Sequence, residues 1–244
     1  MTTTPDTSPA PATVGLTASA LARLFDYPSV LSPVSNTVAQ RDEGMAHLLD
    51  LPDAAERIAL IATLDCPDLA PGFIAFAEAM GTMTPAAREE LYSATFDFDP
   101  AVSLELGWHL FGESYKRGAF LVRMRKALRE HGIDEGRHLP DFLPTLLRLL
   151  DELEQEDGEA LILEVIIPAL EVVLNGFESR ADHPYFHALR ALQGVLTSTV
   201  ADALDELEQI RADTVRVAEA EAMAHEQAAA TASCAPVCEG GPDV

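Results

Sequence analysis

From Leu16 to about residue 197, apolar residues recur at intervals of three and four, and no segment alternates apolar and polar between hairpin turns. That spacing suits a helix with one buried face and is useless to a half-buried strand. The apolar half of the composition is mostly Ala and Leu, with aromatics at only 6%, and both residues favour helix. No fixed-period repeat of the solenoid kind is present. The chain is therefore expected to be all-α, a single-domain helical bundle of about nine or ten helices.

Individual helices can be placed by their start and stop signals. LTASALARLFDYP sets Leu21, Leu24 and Phe25 on one face and stops at Pro28. Periodicity is weaker over 34–50, and helices are predicted over 53–64 and 70–80. Thr84 followed by Pro85 reads as an N-cap and first helical residue, turning Leu91, Tyr92 and Phe96 inward. Asp99-Pro100 repeats the signal, so 100–112 is expected as one helix, and 118–131 follows with Phe120, Leu121, Met124 and Leu128 on a stripe. Pro140 and Asp141 lead into another helix, with Pro144 in its first turn. Residues 159–176 are apolar nearly all round, which predicts a central helix, kinked at Pro168 and ended by Asn175-Gly176. The last helix of the body is predicted over 183–197, around Phe186, Leu189, Leu192 and Leu196.

The two ends have a different character. Residues 1–15, rich in Thr, Pro and Ala, read as a disordered leader, and 16–199 as the helical domain. Residues 200–244 read as an acidic, Ala/Glu-rich helix with a thin stripe of Leu204, Leu207 and Ile210, then a disordered tail. Cys234 and Cys238 lie there as C-x3-C with only His225 nearby, two ligands short of a metal site, so no metal is expected. Cys66 reads as an ordinary half-buried thiol.

A net charge of -24 repels phosphate, which argues against nucleic acid and against an anionic membrane surface. It suits a basic peptide, or it simply keeps a helical protein soluble. Three cysteines, no signal-peptide pattern and no long apolar run point to a soluble cytoplasmic protein without direct membrane insertion.

The densest set of functional residue types is HLFGESYKRG, residues 109–118. A continuous helix through Glu113 would put Leu104, Trp108 and Phe111 in the core and line up Glu105, His109 and Glu113 in one row. Such a row could hold a general base or a metal, but no convergent partner is nominated from elsewhere, and the nucleotide-binding and nucleophile-turn motifs are absent. Glycine gives the better account: Gly112 ends one helix, Gly118 precedes the next, Ser114 caps it, and Glu113 pairs with Arg117. The expectation is a helix-to-helix corner displaying polar groups. Lys116, Arg117, Arg123, Arg125, Lys126 and Arg129 make the next segment basic, either to pair with acidic neighbours or to dock an acidic partner.

LARLFDYP (21–28), LYSATFDFDP (91–100), HLFGESYKRG (109–118) and LPDFLP (139–144) occur in the order and spacing of a known family. Over roughly 16–197 the chain resembles the NarJ-type assembly chaperones of respiratory nitrate reductase, relatives of the TorD and DmsD redox-enzyme maturation proteins. The resemblance implies a TorD-like helical chaperone with no catalytic activity and no cofactor of its own. Such proteins bind the apo catalytic (alpha) subunit of a molybdenum enzyme, most often nitrate reductase, largely through its basic N-terminal segment. They hold it competent for molybdenum cofactor insertion and then leave. By the same resemblance the client-peptide residues are Tyr92, Phe96, Asp97, His109, Phe111, Gly112, Glu113, Ser114, Arg117, Gly118, Pro140 and Asp141. Two positions depart from the pattern: Glu113 stands where Asp is usual, and Phe142 where the family often has His. The competing reading is an acidic helical scaffold that oligomerises through its C-terminal helix.

Overall fold

The structure, a computed structural model, describes residues 16–28, 51–177 and 180–201, together with Ala203, Asp205, Gln209, Arg216 and Met223. The leader, the weak periodicity over 34–50, the Leu204/Leu207/Ile210 stripe and the Cys234/Cys238 pair lie outside the described residues. The described residues are helical throughout, with no strand, as the apolar spacing requires. Two compact units divide the chain at Met1–Thr199 and Val200–Val244. The described positions of the second are helical, and Ala201, Asp205, Gln209, Arg216 and Met223 are exposed.

In the first unit, α1 (Ala18–Ala22) is capped by Thr17, whose hydroxyl accepts from the Ala20 amide, and tightens into a 3-10 turn over Arg23–Phe25. Leu21, Leu24 and Phe25 are buried to 1% exposure or less, on the face their spacing predicts. The helices α2 (Leu51–Asp65) and α3 (Ala70–Thr82) pack on each other. Thr84 accepts from the Ala87 amide at the start of α4 (Pro85–Tyr92). Next come α5 (Leu106–Phe111), α6 (Tyr115–Glu130), α7 (Leu143–Leu150), α8 (Gln155–Leu161), α9 (Ile167–Asn175) and α10 (Pro184–Thr199). The second neighbour of α3 is α10; α1 lies on α7, and α5 touches both α6 and α9. Phe73, Phe76, Met80, Tyr185, Leu189 and Leu192 fill the α3–α10 interface and are essentially inaccessible to water.

Three expectations are corrected. The helix expected over 100–112 is broken: a 3-10 turn at Pro100–Val102 is followed by extended residues, and α5 starts only at Leu106. Local side chains favour the break, since Asp99 Oδ1 accepts from the Ala101 amide and Ser103 Oγ from the Glu105 amide. Across the break Glu105 bridges to Phe142, with the Leu106 amide donating to Asp141 O (2.9 Å) and the Leu143 amide to Leu104 O (2.8 Å). The second correction is at α6, which begins at Tyr115, so Gly118 lies inside its first turns rather than before them. The third concerns Pro168. The helix widens into a π-turn over Ile162–Ile166, in which the Ile167 amide reaches back to Ile162 O. One extra residue in the turn ahead of a proline accommodates a ring that would otherwise strike the carbonyl four residues back.

Candidate functional site

The β-bridge sets the geometry of the site. It carries Asp141 against the start of α5, where the carboxylate is wholly buried. Arg117, in the first turn of α6, reaches across. Its Nη2 donates to Glu105 Oε2 at 2.8 Å and to Asp141 Oδ2 at 3.1 Å, and its guanidinium lies 5.7 Å from the centre of the Trp108 ring. Burial pushes the Asp141 carboxyl above its ordinary range while Arg117 pulls it down. Asp141 Oδ1 accepts no hydrogen bond among the described residues. Two carboxylates share one guanidinium, so the cluster keeps a net negative charge, and Glu105 is the member that meets solvent.

Close approach here depends on Gly107. A Cβ at that position would stand 2.6 Å from Asp141 Oδ2 and 3.0 Å from the Phe120 ring. At the other end of α5, Gly112 adopts φ 55°, ψ −147° and turns the chain toward α6, a conformation that other residues rarely hold. HLFGESYKRG is thus the corner its glycines and polar residues suggest, with different partners. Arg117 pairs with Glu105 and Asp141 rather than Glu113. Ser114 occupies the N-cap of α6 without a side-chain cap bond. The row of Glu105, His109 and Glu113 does not form, because Glu105 precedes α5 and Glu113 follows its glycine end. His109 Nε2 lies 2.7 Å from Ser103 O and must carry the proton to donate there. Burial holds the His109 pKa below its usual value, aided by the charge of Arg117, so the ring is neutral near pH 7.

Beside the corner lies a cleft of about 350 Å³. Tyr92, Phe96, Leu104 and Phe142 supply apolar surface, Trp108 and His138 flank it, and Asp97 and Glu105 bring carboxylates. Tyr92 is held by its hydroxyl, which donates to Phe25 O (3.1 Å), and Phe96 by an edge contact with the Tyr185 ring (4.7 Å). A second π-turn, Ser93–Asp97, sets Phe96 inward and leaves Asp97 exposed. Its origin is Thr95, whose hydroxyl donates to Leu91 O (2.6 Å); the Phe98 amide reaches back five residues to Ser93 O. The His138 ring stacks on Phe142 at 3.8 Å and 8°. The cleft therefore holds an imidazole even though position 142 is Phe.

Of the residues named from sequence, Tyr92, Phe96 and Asp97 line this cleft, and Arg117 and Asp141 brace Glu105 from behind. His109 and Gly112 line a neighbouring depression. Phe111 packs on Phe120 (5.3 Å), and Pro140 is buried at the entry to α7. Glu113, Ser114 and Gly118 are exposed and line neither hollow. Sequence reasoning missed Glu105, Gly107, Trp108, His138 and Phe142 as parts of the site. The His-x-x-x-Phe spacing in HLPDF was the available signal for the last two. Within α6, Arg125 pairs with Glu135, Lys126 with Glu130, and Arg123 lies over the Phe120 ring, so much of the basic segment is paired at home.

No helix among the described residues is long and apolar enough to cross a membrane. Residues 66–191 match the family described as nitrate reductase delta subunit. Over 148 residues, 56% of this chain, the sequence is 33% identical to the nitrate reductase molybdenum cofactor assembly chaperone NarJ of Escherichia coli (strain K12), and equally so to that of Escherichia coli O157:H7. The match spans 62% of the length of those curated relatives.

Proposed function

The chain belongs to the nitrate reductase delta subunit family, and from that premise we propose that it is an assembly chaperone, not an enzyme, that binds the apo catalytic subunit of a molybdoenzyme, nitrate reductase foremost. It engages the basic N-terminal segment of that subunit and keeps the subunit competent for molybdenum cofactor insertion in the cytoplasm. The observation that carries this reading is the cleft between α4 and α7: aromatic walls with Asp97 and Glu105 at the opening. Apolar side chains gain by leaving water against Phe96, Trp108 and Phe142, and a guanidinium or ammonium gains from the carboxylates. Three carboxylates, Asp26, Glu105 and Asp97, act together on the His138 ring, so their field is felt across the cleft.

Nothing in this arrangement calls for bond chemistry. Arg117 and Asp141 are committed to each other, His109 to a backbone carbonyl, and no group of three or more potential metal ligands gathers among the described residues. Recognition is what remains for the polar groups to do.

Calorimetric titration with the N-terminal peptide of a molybdoenzyme catalytic subunit from the same genome tests the proposal. Saturable binding that weakens with added salt, and weakens several-fold more in Asp97→Asn, is the expected result. Equal affinity for the peptide in wild type and Asp97→Asn would remove the cleft from the proposal. Retention of binding after deletion of 200–244 separates this reading from a tail-driven scaffold.

A further inference from the structure

Two hollows meet at one side chain. The acidic cleft and the neighbouring depression, about 520 Å³, share Pro100 and Trp108 as a common wall. Their chemistry is opposite. The depression is lined by Ala101, Val172 and the backbone of Gly112 and Gly176, and its one titratable group, His109, already donates to Ser103 O. No charged side chain lines it. Val172 is 45% exposed, an apolar side chain on the outer face of α9 between the exposed Glu171 and Asn175. An isolated apolar residue on a helix surface is ordinary. Here it forms one side of a hollow that continues a charged cleft.

We propose that the depression is the second half of a bipartite peptide site. It takes uncharged apolar side chains from the same segment whose basic residues enter the cleft, with Trp108 as the ridge over which the chain crosses. This rests on the chaperone reading and adds a sequence requirement to it: cations on one side of the Trp108 ring and apolar side chains a few residues away on the other. A basic segment lacking the apolar residues would fill half of the site.

The experiment uses the full chain and two synthetic peptides, one with paired arginines followed by two leucines, the other with serines in place of the leucines. Trp108 is the only tryptophan in the chain, so its emission reports directly from the ridge. Wild type should bind the leucine peptide about tenfold more tightly, a modest yield for partial burial of apolar side chains. Its Trp108 emission should move to shorter wavelength with the leucine peptide more than with the serine peptide. Val172→Ser, at an exposed position, should lose most of that preference while binding the serine peptide as wild type does. A preference kept intact in Val172→Ser, or equal affinity of wild type for both peptides, overturns the bipartite site alone. Binding of neither peptide to wild type overturns the chaperone cleft and this inference with it.

Discussion

The corner formed by Arg117, Asp141 and Gly107 and the cleft beside it are built from the same kinds of residue and are put to opposite use. In the corner every polar group is turned inward: Asp141 is wholly buried, Arg117 is tied to two carboxylates, and Gly107 lets them close up. In the cleft, Asp97 faces solvent and aromatic rings stand open beside it. Glu105 belongs to both, giving one oxygen to Arg117 and its charge to the opening. Polar residues therefore mark the place of recognition only where the fold leaves them unspent. The stretch richest in functional residue types, 109–118, mostly builds the support, while the contacts on offer come from 92–108 and 138–142.

If that division holds, the two regions should fail in different ways. Arg117→Met leaves a buried carboxylate without its cation and should cost about 3 kcal/mol, lowering Tm by roughly 10 °C in a thermal melt. Gly107→Ala forces a methyl into the Asp141 carboxylate and the Phe120 ring; about 2 kcal/mol is expected in a urea titration, with loss of peptide affinity only as the fold is lost. A smaller effect comes from pH. Burial lowers the pKa of His109, His138 and His183 below 6.5, so the unfolded chain takes up protons that the folded rings resist. The stability they contribute is full above pH 6.5 and is lost as pH falls through the lowered folded values. Melts between pH 7.5 and 5 (roughly the range over which histidine titrates) should show the decline, and His183→Gln should flatten it. Asp141 runs the other way at more acid pH: its raised carboxyl adds stability below 3.8 that is lost as pH rises through its folded value. Least of all, Gly118→Ala should stabilise α6 by about 0.5 kcal/mol, since its Cβ meets nothing within 4 Å and the position is mid-helix. A destabilised Gly118→Ala protein would return this glycine to the corner.

What the sequence made legible follows from how local each cause is. Caps such as Thr84, the buried face of Leu21, Leu24 and Phe25, and the α10 stripe depend on neighbours within a turn or two, and they stand where the pattern puts them. The break at 103–105 was hidden because its decisive partners, Asp141 and Phe142, lie a whole helix further along the chain. Arg117 was given the wrong partner for the same reason: Glu113 is four residues away, Asp141 twenty-four. The two π-turns sharpen the point. Pro168 announces that its helix must adjust, and only the form of the adjustment was missed. Thr95 announces nothing, because a threonine in a helix donates to the fourth carbonyl back without widening every helix that holds one.

The bridge between Glu105 and Phe142 has a consequence for the order in which the molecule takes shape. It ties off the whole excursion through α5 and α6, so the chain from one side of the cleft to the other is a closed loop with a single clasp. Closing a loop of that size costs conformational entropy before any contact rewards it. The cleft therefore gains its acidic wall late, after α6 has formed and Arg117 is in reach of Asp141. Until then the chaperone lacks the surface with which to receive a client, and a newly made copy becomes competent in one step as the clasp closes.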